Sequence, residues 1–113
     1  MAERSGNGWH GAITGRAPVQ GWGRVDGHPW YFRARGDAWS FEIADDLELD
    51  EAVLPVVDDE NAGWLVEEDW GTWPKASYMD PDIAWSIVEA CIARFRSGQL
   101  PYHMPSGSGP TTP

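Results

Sequence analysis

The chain has 113 residues, 42% of them hydrophobic, and a formal net charge of −10. This is the length of one domain with enough apolar content to bury a core. The acidic balance argues against direct binding to duplex nucleic acid. A lone cysteine, Cys91, excludes an intramolecular disulfide and points to a reducing, cytoplasmic setting, and no stretch is long and apolar enough for a membrane span.

Residues 1–10 are polar and Gly-rich, with no apolar segment of the signal-peptide kind, and are expected to be disordered. Gly11 to Thr14 suggests a short strand, and Gly15 to Pro18 a linker. The stretch from Val19 to Ala44 then carries the strongest pattern in the chain. Asp26-Gly27 fits a two-residue turn that needs φ > 0 at both positions, and Gly36-Asp37 fits a turn that needs it at the first. These turns fix a register in which Val25 faces His28, Gly23 faces Trp30, Gly21 faces Phe32 and Val19 faces Ala34. On the other side, Ala34 faces Trp39, Phe32 faces Phe41 and Trp30 faces Ile43. One sheet face is thus apolar or glycine, while the other carries Gln20, Trp22, Arg24, Tyr31, Arg33, Arg35, Ser40 and Glu42. A slip of one residue would mix the two sets, so the pattern supports the register independently of the turns.

After Ala44 the composition changes. Asp45 to Glu51 reads as an acidic loop or a single helical turn, and 53–57 as a short edge strand limited by Pro55. Asp58 to Gly63 is a loop. Trp64 to Glu68 reads as a further strand returning beside 53–57, and Gly71 to Tyr78 as irregular. Asp80-Pro81-Asp82 is a helix start, with Asp80 at the N-cap and Pro81 in the first turn. Ile83, Ile87, Val88, Cys91, Ile92 and Phe95 recur at helical period, and Gly98 is the stop. The fold class expected is α+β: an antiparallel β-meander of three to five strands (about 19–25, 28–35, 38–44, 53–57 and 63–68) with one C-terminal helix (about 81–97) packed on one face. Residues 11–99 form the globular domain, and 100–113 a disordered tail.

Charge is unevenly placed. Five arginines stand against Glu3 and Asp26 up to Gly36, whereas Asp37 to Asp69 holds thirteen acidic residues and no basic one. An acidic surface running from Asp45 to Asp69, with Asp45, Asp46, Glu48, Asp50, Glu51, Asp58, Asp59 and Glu60 as its named residues, suggests a non-enzymatic interaction domain that meets a basic protein, one version being a mimic of nucleic acid. The alternative is a small-ligand or single-stranded nucleic-acid binder using Trp22, Arg24, Tyr31, Arg33 and Arg35, where aromatic rings and guanidinium groups share one sheet face. A third reading is a homo-oligomer paired through an open sheet edge. The structural reading of the eight tryptophans is that most of them, Trp30 and Trp39 above all, are core.

No catalytic pattern emerges. His10, His28 and His103 lie far apart, with no metal-ligand spacing. The acids from Asp46 onward fail the EF-hand pattern, which lacks its glycine at the sixth position and places Val57 at the twelfth. Cys91 falls on the apolar stripe of the helix and reads as core. No enzyme activity, metal or cofactor is expected.

Overall fold

The computed structural model describes residues 2–15, 17–50, 57 and 61–104. Among them the chain forms a seven-stranded antiparallel sheet in strictly sequential order, with one C-terminal helix against one face. The strands are β1 (Ala2–Gly6), β2 (Trp9–Thr14), β3 (Val19–Val25), β4 (His28–Arg35), β5 (Ala38–Ala44), β6 (Gly63–Asp69) and β7 (Tyr102–His103), and the helix is α1 (Pro81–Arg96).

The central meander has the register read from its turns. Val25 pairs with His28, Gly23 with Trp30 and Phe32 with Gly21 on one side, while Phe32 pairs with Phe41 and Trp30 with Ile43 on the other. Asp26 and Gly27 both have positive φ, at 50° and 84°, and Gly36 sits at 69°, as these two-residue turns require.

At both ends the sheet extends further than the expected three to five strands. Residues 2–6, expected to lack order, form β1 and pair with Trp9 to Ile13. This strand has no apolar alternation to mark it. It is tied down by Arg4, whose guanidinium donates to Glu89 at 3.0 Å and to Asp82 at 3.2 Å and lies over the Trp85 ring. At the C-terminal end, Tyr102 and His103 leave the expected tail and pair with Trp64 and Gly63. The strand at Trp64 pairs with β5 on one side and, at Gly63 and Trp64, with β7 on the other; apart from Val57, the edge strand expected at 53–57 lies outside the described residues, as does the tail beyond residue 104.

The helix begins as its sequence indicates, with the Asp80 carboxylate accepting the Asp82 N–H at 2.8 Å. It ends one residue before the expected limit, in a turn that satisfies its last carbonyls. Gly98, at φ 75°, donates to the Phe95 carbonyl and Gln99 to the Arg94 carbonyl. Its buried stripe is Ala84, Trp85, Val88, Cys91 and Ile92, while Ile83 is exposed. The stripe is turned toward Trp85 relative to expectation because the indole is the largest apolar group on the helix.

The core lies between α1 and the apolar sheet face, with Trp30, Phe32, Phe41, Ile43, Val25 and Trp85 fully excluded from solvent. Trp30 fits because β2 supplies Gly11 beneath it: a Cβ there would collide with the Trp30 ring. Gly21 also lies beside the ring, and Gly23 lets β2 approach, since a Cβ on it would strike the His10 carbonyl.

The two N-terminal hairpins are clamped to the end of the helix. Arg96 donates to both Asp26 carboxylate oxygens, at 3.0 and 2.8 Å, and to the Asn7 carbonyl at 2.7 Å. The hydrogen bond from Arg96 holds the Asp26 carboxyl below its ordinary value of 3.8. A carboxylate with a lowered native pKa contributes stability that is complete above the unfolded value and is lost as the pH falls through the native one. The contribution should amount to at most about 1 kcal/mol, because both side chains are a third or more exposed. Asp26→Asn is therefore expected to lower the urea midpoint slightly at pH 7, with the difference from the native chain shrinking as the pH falls below the ordinary carboxylate range.

Candidate functional site

The register places the polar side chains of the opposite, outer face in rows across the strands. One row runs Glu3, Ala12, Trp22, Tyr31, Glu42, Leu65, and the next Thr14, Gln20, Arg33, Ser40, Glu67. Trp22 and Tyr31 are cross-strand neighbours, as expected.

The chain after Ala44 folds back over the middle of this face. Arg24 donates to the carbonyls of Gly27 (2.9 Å), Leu47 (3.3 Å) and Leu49 (3.1 Å). Buried Glu42 accepts the Val57 N–H at 2.9 Å. Tyr31, Ala44 and Val57, with Leu49 and Leu65 against them, form a second small apolar cluster. Tyr31 is therefore 6% exposed and presents no open ring for a base to stack on. Its hydroxyl donates to the Gln20 side chain at 2.8 Å, and burial pushes its pKa upward.

This cover divides the aromatic and arginine face into two separate parts. On the β1 side, half-buried Trp22 is a wall of a cleft of about 420 Å³ shared with Glu3, Ser5, His10 and Ala12. On the β5 side, Arg33 and Arg35 line a hollow of about 200 Å³ with Ala38, Ser40 and Glu67. The Nε of Arg33 is buried and has no hydrogen-bond acceptor. An unmet buried donor costs about 1–3 kcal/mol, more when charged.

The acidic surface is likewise divided. Asp45, Asp46, Glu48 and Asp50 are exposed where the chain leaves β5. Asp45 accepts the Tyr102 hydroxyl at 2.7 Å, which raises the Tyr102 pKa, and Asp46 accepts the Glu48 N–H at 2.8 Å. Glu51, Asp58, Asp59 and Glu60 lie outside the described residues. A second patch, Glu67, Glu68 and Asp69, occupies the far end of β6 and is exposed throughout. The strand separates the two patches by about 20 Å, at 3.4 Å per residue. The second patch was not singled out from the sequence, although the switch from Trp64-Leu65-Val66 to three successive acids marks it.

The far end of β6 is also an open edge. Trp70 donates to the Asp37 carbonyl at 2.6 Å and Asp45 to the Ala62 carbonyl at 3.0 Å. By alternation along the strand, Trp64, Val66 and Glu68 direct their peptide groups toward β5, and Leu65, Glu67 and Asp69 direct theirs away. Leu65 reaches the Pro101 carbonyl at 3.0 Å. β7 pairs only with Gly63 and Trp64, so Glu67 and Asp69 have no backbone partner on that side among the described residues. A hollow of about 520 Å³ lies beside them, lined by Ala38 and the three acids.

The residues with reactive side chains are dispersed. His10 is on the outer face of β2, His28 packs between Trp64 and Phe95 on the helix side, and His103 is on β7. Burial pushes the Cys91 thiol up to about 12, which keeps it neutral and unreactive. Among the described residues no three His, Cys, Asp or Glu side chains come together as metal ligands, and no helix is long and apolar enough to cross a membrane. Comparison with protein-family models, curated proteins and solved structures finds no match for this chain.

Proposed function

We propose that this chain is a non-enzymatic interaction domain that receives a basic protein partner at the open, acidic end of β6. The observation that carries this reading is the coincidence of two features on one strand end: three exposed carboxylates, of which Glu68 is paired with Arg94, and the outward peptide groups of Glu67 and Asp69, which have no partner among the described residues. An open edge accepts an extended segment through main-chain hydrogen bonds, and flanking charge selects which segment binds. Lysine or arginine residues on the incoming strand complement Glu67 and Asp69, while Glu68, on the other face, pairs with Arg94 at 3.7 Å. The nucleic-acid-mimic version of the same reading uses these carboxylates in place of phosphates. The ring-stacking alternative centred on Tyr31 is disfavoured by that residue's burial.

The test is capture of partners from host lysate on the tagged chain, washed at low and then high salt. A basic protein retained at low salt and released at high salt is expected. Glu67→Lys, Glu68→Lys and Asp69→Lys together should abolish retention while the far-ultraviolet circular dichroism stays that of the native chain. Retention of the same protein by this triple variant would sink the proposal.

A further inference from the structure

The arginines among the described residues fall into two groups. Arg4 pairs with Asp82 and Glu89, Arg94 with Glu68 and Arg96 with Asp26, while Arg24 is held by carbonyls. Arg33 and Arg35 stand apart from this. They are two residues apart on the same face of β4, roughly 7 Å from one another, and neither has a carboxylate within ion-pair distance among the described residues. In a chain with eighteen acidic side chains, two adjacent guanidinium groups without a carboxylate are the feature that pairing among the described residues leaves over.

The surroundings give these groups the form of a site. Ser40 lies directly across from Arg33, so its hydroxyl is a third donor in the same hollow. Ala38, opposite Arg35, leaves the space open. The Nε of Arg33 is buried without an acceptor, so the fold itself does not complete this guanidinium's hydrogen bonding. A hollow of about 200 Å³ exceeds the ~30 Å³ that one water occupies in the liquid, and it is small enough to hold one compact group.

We infer that Arg33, Arg35 and Ser40 form a binding site for a single phosphoryl group, carried by a small phosphate ester or present as the free ion. Two planar forks match the geometry of tetrahedral oxyanions and balance the double charge of a phosphate near neutral pH. Glu67 on the rim, with the net charge of −10, excludes a second phosphate and hence a nucleic-acid strand. Glu67 and Ala38 also border the hollow at the β6 edge, but the proposed donors Arg33, Arg35 and Ser40 are not edge groups, and neither reading depends on the other.

The test is a ¹H–¹⁵N NMR titration of the full chain with inorganic phosphate and, separately, with O-phosphoserine. Saturable shifts centred on the amides of Arg33, Arg35 and Ser40 are expected, weakening as the pH falls below about 6, where the phosphate regains a proton. Tighter binding of phosphoserine identifies an ester as the ligand, and equal binding identifies the free ion. Loss of two charge-assisted forks in R33Q/R35Q should weaken binding at least about tenfold. R35Q alone removes an exposed side chain and carries the test if the double variant does not fold. Shifts that do not saturate, that spread equally over Lys75 and Arg94, or that persist in these variants overturn the proposal.

Discussion

Trp85→Ala is expected to lower the free energy of unfolding by about 3–5 kcal/mol, the range for truncating a fully buried aromatic side chain. Trp85 is 0% exposed. Its ring centroid lies 5.7 Å from that of Trp9 and 5.9 Å from that of Trp30, the second contact edge-on. Its Nε1 donates to the Ala2 carbonyl at 3.0 Å, and Arg4 covers the ring. One side chain thus joins the helix to β1, β2 and β4, and removing it opens a cavity that the flanking sheet cannot collapse to fill. Urea unfolding followed by tryptophan fluorescence would measure the effect. A domain of this size is stable by only about 5–15 kcal/mol, so the variant should unfold at markedly lower denaturant. A loss below about 1.5 kcal/mol would mean that the helix is not seated on the sheet as described.

Glu42→Ala is expected to cost about 1–3 kcal/mol, because it leaves the Val57 N–H without its acceptor in a buried setting. Its effect should be regional. The bond from Val57 holds the chain after Ala44 against the outer face, and with it the contacts of Leu49 and Val57 on Tyr31. Hydrogen exchange at Val57 should accelerate much more than exchange at Phe32 or Phe41 in the helix-side core. Uniform acceleration across the sheet would show instead that the outer cover and the core unfold together.

The parts of the fold legible in the sequence were those with two signals in agreement. Around Asp26-Gly27 and Gly36-Asp37, turn chemistry and face alternation demand the same register, and the observed pairing follows it residue by residue. Ala2 to Gly6 has no apolar alternation, and β1 is held by backbone pairing and by Arg4. β7, with two residues, is too short for any period to show. The candidate sites were legible as composition but not as geometry. Tyr31 read as an exposed aromatic because alternation assigns a residue to a face without saying what covers that face, and the cover comes from the chain after Ala44. The acids read as one surface because they are continuous in sequence, yet the length of β6 carries Glu67 to Asp69 away from Asp45 and Asp46.

The sequential strand order has a kinetic consequence. Every neighbour in the sheet up to β5 is also the next strand along the chain, so these hairpins close short loops and belong to the low-contact-order part of the structure. The helix works the other way. Its anchors to β1, from Arg4 to Asp82 and Glu89 and from Trp85 to Ala2, join residues 78 to 85 positions apart. Loop-closure entropy places such contacts late. Substitutions in the β3–β4–β5 meander should therefore slow folding, whereas loss of the Arg4 contacts should chiefly speed unfolding. β1 and α1 together act as the latch on a β3–β4–β5 meander that is already formed.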